Sequence, residues 1–327
     1  MGGGTPSAIV ATALSPSGLD GPTSSPREAV EEGRSAMIPG QFDYVRPGSL
    51  GETLQILKDR EGEAKLLSGG YSLIPLIKLR LAQPALLVDM RDLAGLDGIG
   101  ETDDFLVIGA KATHRQIHEN AIIQARYPGI VDVAATIGDP QVRNWGTIGG
   151  SVAHADPASD WPALLIATGA TIVCTSQAGE RTIAAREFFL DTFTTAIEPT
   201  EVLTQVRLPR RPKLAGGAYE KLERKVGDFA TVGVAVMVRL NADGTIKGAG
   251  IGVTGVAATP FAATDGEAIL VGNAPSDALF RQAGAAVGAQ SSPGGDVRGP
   301  VEYKRAMAAE MTLRALRTAV QRALAYA

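Results

Sequence analysis

From Phe42 onward, apolar residues fall into short runs and helical stripes that mark a series of elements. Ser49-Leu50-Gly51-Glu52 has the form of a capping box, and Leu54 and Leu57 follow on one helical face. Ala64-Lys65-Leu66-Leu67, Leu86-Leu87-Val88-Asp89-Met90 and Phe105-Leu106-Val107-Ile108 read as short strands. Thr113 and Gln116 form a second capping box, predicting a helix through Ile122. Asp156-Pro157 looks like an N-cap followed by proline at the first helical position, with Trp161, Leu164 and Leu165 on the buried face. Val202 to Val206 predicts a strand. Beyond about residue 213, Phe229–Leu240, the turn Asn241-Ala242-Asp243-Gly244 and Ile246–Val256 predict a β-hairpin. A helix from Ser276 and a long one from Val301 to about Leu324 close the chain.

The class expected is α+β, with one region over 37–213 (subdomains about 37–90 and 91–213) and a hairpin-and-helix domain over 214–327. Residues 1–36 differ: Gly2-Gly3-Gly4 is followed by Ser, Pro, Thr and Gly with little apolar periodicity. They read as a disordered extension, or as an over-extended start with Met37 opening the folded pattern. The first basic residue, Arg27, comes after the apolar stretch, which does not fit a secretory signal.

Composition narrows the chemistry. With 327 residues, 45% hydrophobic and 20% charged, the chain can bury a sizeable core. A formal charge of -4 gives no basic surplus for nucleic acid or anionic lipid, and no apolar run approaches the ~20 residues of a membrane helix. The single cysteine, Cys174, sits in a strand-like run, and one thiol cannot hold an iron–sulfur cluster. His114 and His118 share a helix face, but no third ligand lies near them in sequence. They and His154 read as ordinary surface histidines. Any redox chemistry therefore calls for an organic cofactor.

Two segments could hold one. Ser68-Gly69-Gly70-Tyr71-Ser72 and Thr147-Ile148-Gly149-Gly150-Ser151 each place paired glycines between hydroxyl residues. Glycine permits close backbone approach and lets N–H groups converge on phosphate, and hydroxyls can donate to the same oxygens. Neither segment is the G-x-G-x-x-G of a Rossmann fold. Taken on spacing alone, each pair could equally be a turn, since Gly-Gly recurs at Gly216-Gly217 and Gly294-Gly295.

The longer context carries a resemblance. Ser68 through Arg80, with the run Leu73-Ile74-Pro75-Leu76-Ile77-Lys78, resembles the first flavin motif of the medium subunits of aerobic carbon monoxide dehydrogenases. Asp139 through Ser151, then Ala155-Asp156-Pro157-Ala158-Ser159-Asp160, resembles the second. Arg224-Lys225-Val226-Gly227-Asp228-Phe229-Ala230 and Glu302-Tyr303-Lys304-Arg305-Ala306 resemble two signatures of the C-terminal domain in that family, which belongs with the xanthine dehydrogenases and other molybdenum hydroxylases. The resemblance spans roughly residues 37–327, with the motifs in order.

It implies a two-part FAD-binding region of the vanillyl-alcohol-oxidase/PCMH type and non-covalently held FAD. Ser68, Gly69, Gly70, Tyr71, Ser72 and Leu73, with Thr147, Ile148, Gly149, Gly150 and Ser151, would wrap the pyrophosphate. Asp160 would serve the adenosine side. Leu203 would pack on the isoalloxazine and Lys221 would lie near its polar edge. Leu203 reads equally as a core leucine and Lys221 as a solvated strand lysine. Arg143 and Asp228 read as residues that hold loops and the domain junction. The family usually has His where this chain has Tyr71, which leaves the acceptor and substrate class open. The implied partners are a small subunit with two [2Fe-2S] clusters and a large molybdopterin subunit, as a dimer of heterotrimers. The implied location is cytoplasmic, or at the membrane through the complex. A self-sufficient FAD oxidoreductase and a scaffold that has lost its flavin are the rival readings.

Overall fold

The computed structural model describes residues 38–326. The expectation of a disordered extension over 1–36 lies outside them. The chain opens with β1 (Asp43–Val45), α1 (Leu50–Asp59), β2 (Ala64–Leu67), α2 (Leu73–Lys78) and β3 (Leu86–Asp89). These strands form a small parallel sheet in the order β1-β3-β2, and every residue of the central β3 is buried. A continuous apolar run suits such a position, because both faces of a parallel strand are covered. Ser49 caps α1 by accepting from the Glu52 N–H, while Glu52 reaches back to the Gly48 N–H. The expected box is therefore displaced by one residue at its acidic end.

A second sheet follows. Its elements are β4 (Ile99–Glu101), β5 (Phe105–Gly109), α3 (His114–Glu119), α4 (Ala121–Arg126), α5 (Pro128–Thr136), α6 (Pro140–Trp145), α7 (Ile148–His154), α8 (Asp160–Thr168), β6 (Thr171–Ser176), β7 (Gly179–Ala184), α9 (Ala185–Phe188), the ribbon β8 (Phe189–Asp191) and β9 (Thr194–Thr195), and β10 (Val202–Pro209). The strands pair antiparallel in the order β4-β5-β10-β6-β7. The helix expected from Thr113 through Ile122 breaks at Asn120. Its side chain accepts from the N–H groups of Ile122 and Ile123 and starts α4 afresh. Asp156 is not the cap of the next long helix either. It closes a turn onto the Ala158 N–H, and the N-cap position of α8 falls three residues later, at Ser159. Trp161, Leu164 and Leu165 are fully buried, as their spacing predicts, within a core shared with β5, β6 and β10.

The last third forms β11 (Ala215–Leu222), β12 (Val232–Leu240), β13 (Ile246–Thr254), β14 (Phe261–Ala262), α10 (Thr264–Leu270), α11 (Asp277–Gln290) and α12 (Val301–Leu324). The expected hairpin is the centre of a four-stranded antiparallel sheet, β11-β12-β13-β14. Its inner valines form a second core with α11 and α12.

The two cores meet where α8 lies on the four-stranded sheet. A Cβ added to Gly250 would fall 1.9 Å from the carbonyl oxygen of Ala167. One on Gly252 would fall the same distance from that of Ala163. Two glycines at alternate positions on β13 therefore let helix backbone rest directly on strand backbone. Gly252→Ala should destabilise the chain by about 1–3 kcal/mol, because overpacking forces backbone apart. Gly248 on the same strand has nothing within 4 Å of its would-be Cβ, so Gly248→Ala should be near neutral. Urea unfolding of the two variants checks the contrast.

Candidate functional site

The two glycine segments, far apart in sequence, lie against each other. The Ser68 Oγ is 3.0 Å from the Thr147 Oγ1, and a Cβ on Gly69 would fall 2.3 Å from the carbonyl oxygen of Trp145. They differ in construction. Gly70 has φ +86°, which glycine adopts without strain, and turns the chain from β2 into α2. Among the described residues, the N–H groups of Gly69, Gly70, Tyr71, Ser72 and Leu73 find no acceptor. Five adjacent donors left open at a glycine turn are suited to anionic oxygens.

The second segment is the start of helix α7, not a loop. Thr147 is the N-cap, accepting from the Gly150 N–H at 3.1 Å. Ile148 N–H donates to Ala112, Gly149 N–H to Ala110 and Ser151 N–H to Thr147, all at carbonyls. The matched grip expected from two phosphate nests thus becomes one open nest facing one closed helix cap. Gly149 is needed for packing: its Cβ would fall 2.6 Å from that of Ala110, at an ordinary helical φ.

A line of polar groups continues from this cap. The Ser151 Oγ is 2.8 Å from the Ser159 Oγ, and the next residue, Asp160, opens α8. The Asp160 carboxylate is buried. It accepts from the Tyr219 hydroxyl at 2.5 Å, and the Lys221 Nζ lies 3.2 Å from each of its oxygens. Lys221 also donates to the Thr136 carbonyl at 3.1 Å and lies 3.4 Å from Glu223. Burial pushes the Asp160 carboxyl up, against the pull of Lys221 and of the Tyr219 hydroxyl. Asp160 and Lys221 were expected at opposite ends of a cofactor. Their direct contact makes them one charged unit, and Lys221 is not a solvated lysine. Leu203 is 6% exposed and belongs to the main core.

Sequence reasoning missed Tyr219. It shares a strand face with Lys221, two residues on, and the period-2 rule applied to the strand read at Lys221 would have found it. Arg143 and Asp228 are braces, as expected. Arg143 Nη1 reaches the carbonyls of Ile137 and Gly138, whereas Asp228 holds Arg224, Arg298 and the Phe229 N–H. Gly227 packs on Gly138, joining that loop to the approach to α6. Around the nest, Tyr71 is 44% and Trp145 54% exposed, with the Arg91 guanidinium 5.5 Å over the Trp145 ring.

His114 corrects another expectation, for it is buried rather than on the surface. Its Nδ1 accepts from the Trp161 Nε1–H at 3.1 Å, which leaves the proton of the neutral ring on Nε2, against Gly146. Burial, and then the Arg143 charge, lower its pKa to about 4.

Residues 40–211 match the family model of the FAD binding domain in molybdopterin dehydrogenase, and residues 217–319 that of the CO dehydrogenase flavoprotein C-terminal domain. The carbon monoxide dehydrogenase medium chain of Afipia carboxidovorans is 43% identical over 89% of this chain and 99% of its own length. A glyceraldehyde dehydrogenase medium chain from Sulfolobus acidocaldarius is 36% identical over 86% of this chain and 99% of its own. A crystal structure of a Cu,Mo-CO dehydrogenase superposes with a TM-score of 0.85 at 43% identity, covering 88% of this chain and all of the other. The chain belongs to the FAD-binding medium-chain family of the molybdenum hydroxylases, and is the flavoprotein component of an oxidoreductase.

Gly70→Val should lose FAD with little change in circular dichroism, because only the nest is strained. Gly149→Val should lose FAD and also lower the melting temperature, because α7 is pushed off Ala110. Full flavin content in both variants would show that neither segment holds the cofactor. For His114, the folded pKa lies below the ordinary value near 6.5. Stability from the neutral ring is therefore complete above about pH 6.5 and is lost as pH falls toward about 4. The loss approaches roughly 3 kcal/mol. His114→Gln should flatten that part of a stability profile measured by urea unfolding.

Proposed function

We propose that this chain carries electrons and does not itself oxidise substrate. In this reading a large molybdopterin subunit oxidises the substrate, and a small subunit with two [2Fe-2S] clusters passes the electrons to FAD held here. From FAD they go to a quinone or another acceptor. The observation that carries the reading is the open nest at 69–73, set against the Thr147 hydroxyl and followed by the polar line to Asp160 and Lys221. The residues present fit a dinucleotide: five unengaged N–H groups suit its phosphates, and a buried ion pair suits a polar edge. Coverage of nearly the full length of medium-chain relatives supports assembly with other subunits.

When bound, the flavin supplies the ability to take electrons singly and release them in pairs. The chain's own residues bind and orient it. Ser68 to Leu73 would hold the pyrophosphate with Thr147 and Ser151, Ile148, Gly149 and Gly150 shaping the opposite wall. Asp160 and Lys221 would together face one portion of the cofactor, and Leu203 would support it from the core. The division near residue 213 separates the two domains. FAD would be held non-covalently, because neither glycine segment contains Cys or His. Among the described residues no helix is long and apolar enough to cross a membrane. The complex we propose is a dimer of heterotrimers in the cytoplasm, or held at the membrane through another component. The substrate stays open, since relatives of similar coverage are components of dehydrogenases for carbon monoxide and for glyceraldehyde.

The purified chain should be yellow and release its flavin into the supernatant on acid precipitation. Alone it should leave its flavin oxidised in the presence of carbon monoxide or aldehydes, and reduction should appear once both partner subunits are added. Turnover by the isolated chain at the rate of the complex would establish a self-sufficient oxidoreductase instead.

A further inference from the structure

We propose that Tyr219 is a positioning residue for the flavin. Its hydroxyl fixes the Asp160 carboxylate against Lys221 and so sets how much of the Lys221 charge the cofactor experiences. The inference rests on the reading above, in which Asp160 and Lys221 face FAD.

The geometry shows a hydroxyl deliberately accommodated. Tyr219 and Lys221 point to one face of β11, and both reach the same carboxylate, the hydroxyl at 2.5 Å and the ammonium at 3.2 Å. Room for the hydroxyl is provided by Gly233 on β12. A Cβ there would fall 2.3 Å from the Tyr219 Oη, so any larger residue displaces it. The strand itself is pinned at this point, since the Tyr219 N–H donates to Asp132 at 3.2 Å and Arg322 holds Asp132 at 2.5 Å. Phenylalanine would pack the ring equally well. The hydroxyl is there for the carboxylate.

The charged groups around Asp160 are few. β11 contributes Tyr219 and Lys221, and Glu223 follows just beyond it. From α5 come the Thr136 carbonyl and Asp132, which Arg322 of α12 occupies. β12 and β13 bring only Gly233 and the Thr254 hydroxyl, the latter bound to Ser159. Burial keeps the phenol protonated far above neutral pH, so it remains a donor. A buried carboxylate that loses a donor favours its protonated form. Without the Tyr219 hydroxyl, Asp160 takes up a proton more readily, and Lys221 keeps only Glu223, at 3.4 Å, as a counter-ion. A cation less fully compensated beside a flavin favours the reduced form, which carries more negative charge.

The test uses the full chain loaded with FAD, with flavin content, circular dichroism and the flavin midpoint potential measured across pH. Tyr219→Phe should retain FAD within about tenfold in affinity and show a potential more positive than wild type. That difference should grow as pH falls and vanish at high pH. Asp160→Asn, which fixes the neutral form, should show the positive shift at every pH. Gly233→Ala, which displaces the hydroxyl, should follow Tyr219→Phe. Tyr219→Phe potentials that overlay wild type at all pH values overturn the proposal. So does loss of flavin from Tyr219→Phe while Asp160→Asn keeps it at an unaltered potential. If the wild-type chain takes up no FAD, the underlying reading falls and the proposal with it. A normal flavin content with unmoved potentials removes the proposal alone.

Discussion

The site depends on one contact, the seating of α8 on β13 without intervening side chains. At Gly250 and Gly252 the strand gives up its Cβ atoms so that the carbonyls of Ala167 and Ala163 can rest on it. Any side chain here would lift the helix and separate the two cores. Because β11 pairs with β12, and β12 with β13, the seating of α8 also fixes where β11 passes. It passes beside the first residue of α8, Asp160, and delivers Tyr219 and Lys221 to it. The charged unit is thus contributed by both the FAD-binding domain and the C-terminal flavoprotein domain. Neither domain holds it alone.

The same economy of side chains recurs where other elements meet. Gly216 lets β11 approach the Ala319 carbonyl of α12, and Gly284 lets α11 approach that of Ala309. Close backbone approach trades away the hydrophobic burial that larger residues would contribute. It gains rigidity, since a gap closed by backbone cannot relax by rotamer change. For a subunit whose work is to hold a cofactor at a set place, fixed geometry matters more than additional core volume.

Much of this was legible in the sequence, and the omissions have physical causes. Long elements with strong periodicity, such as Val301–Leu324 and the buried face at Trp161, Leu164 and Leu165, declared themselves because burial selects their apolar positions directly. β11 did not. Its first half, Ala215-Gly216-Gly217-Ala218, lacks the branched and aromatic residues that mark strands, because α5 and α12 press on it too closely for them. With the strand at Lys221 given no bounds, Tyr219 was not placed beside Lys221. His114 was misplaced for a similar reason. A polar residue at the start of a helix looks solvated until its tertiary partner is known, and that partner, Trp161, is 47 residues away. The glycine pairs looked alike in sequence because only tertiary hydrogen bonds distinguish an open nest from a closed cap. The carbonyls of Ala110 and Ala112 close the second one from the loop that follows β5.

The character of the charged unit fits the work proposed for the chain. A group that moves protons in a reaction needs a pKa near the working pH and access to its substrate. Asp160 lacks the access: it is buried, and a phenol and an ammonium occupy its oxygens. Such an arrangement holds a nearly constant field. Electron transfer through a flavin asks for that, since the cofactor contributes the reactivity and the protein contributes placement and electrostatics. A buried ion pair is a poor device for stability, because desolvation offsets most of its attraction. Its retention here, with a glycine opposite reserved for the third member's hydroxyl, is better explained by the field it imposes than by the energy it adds.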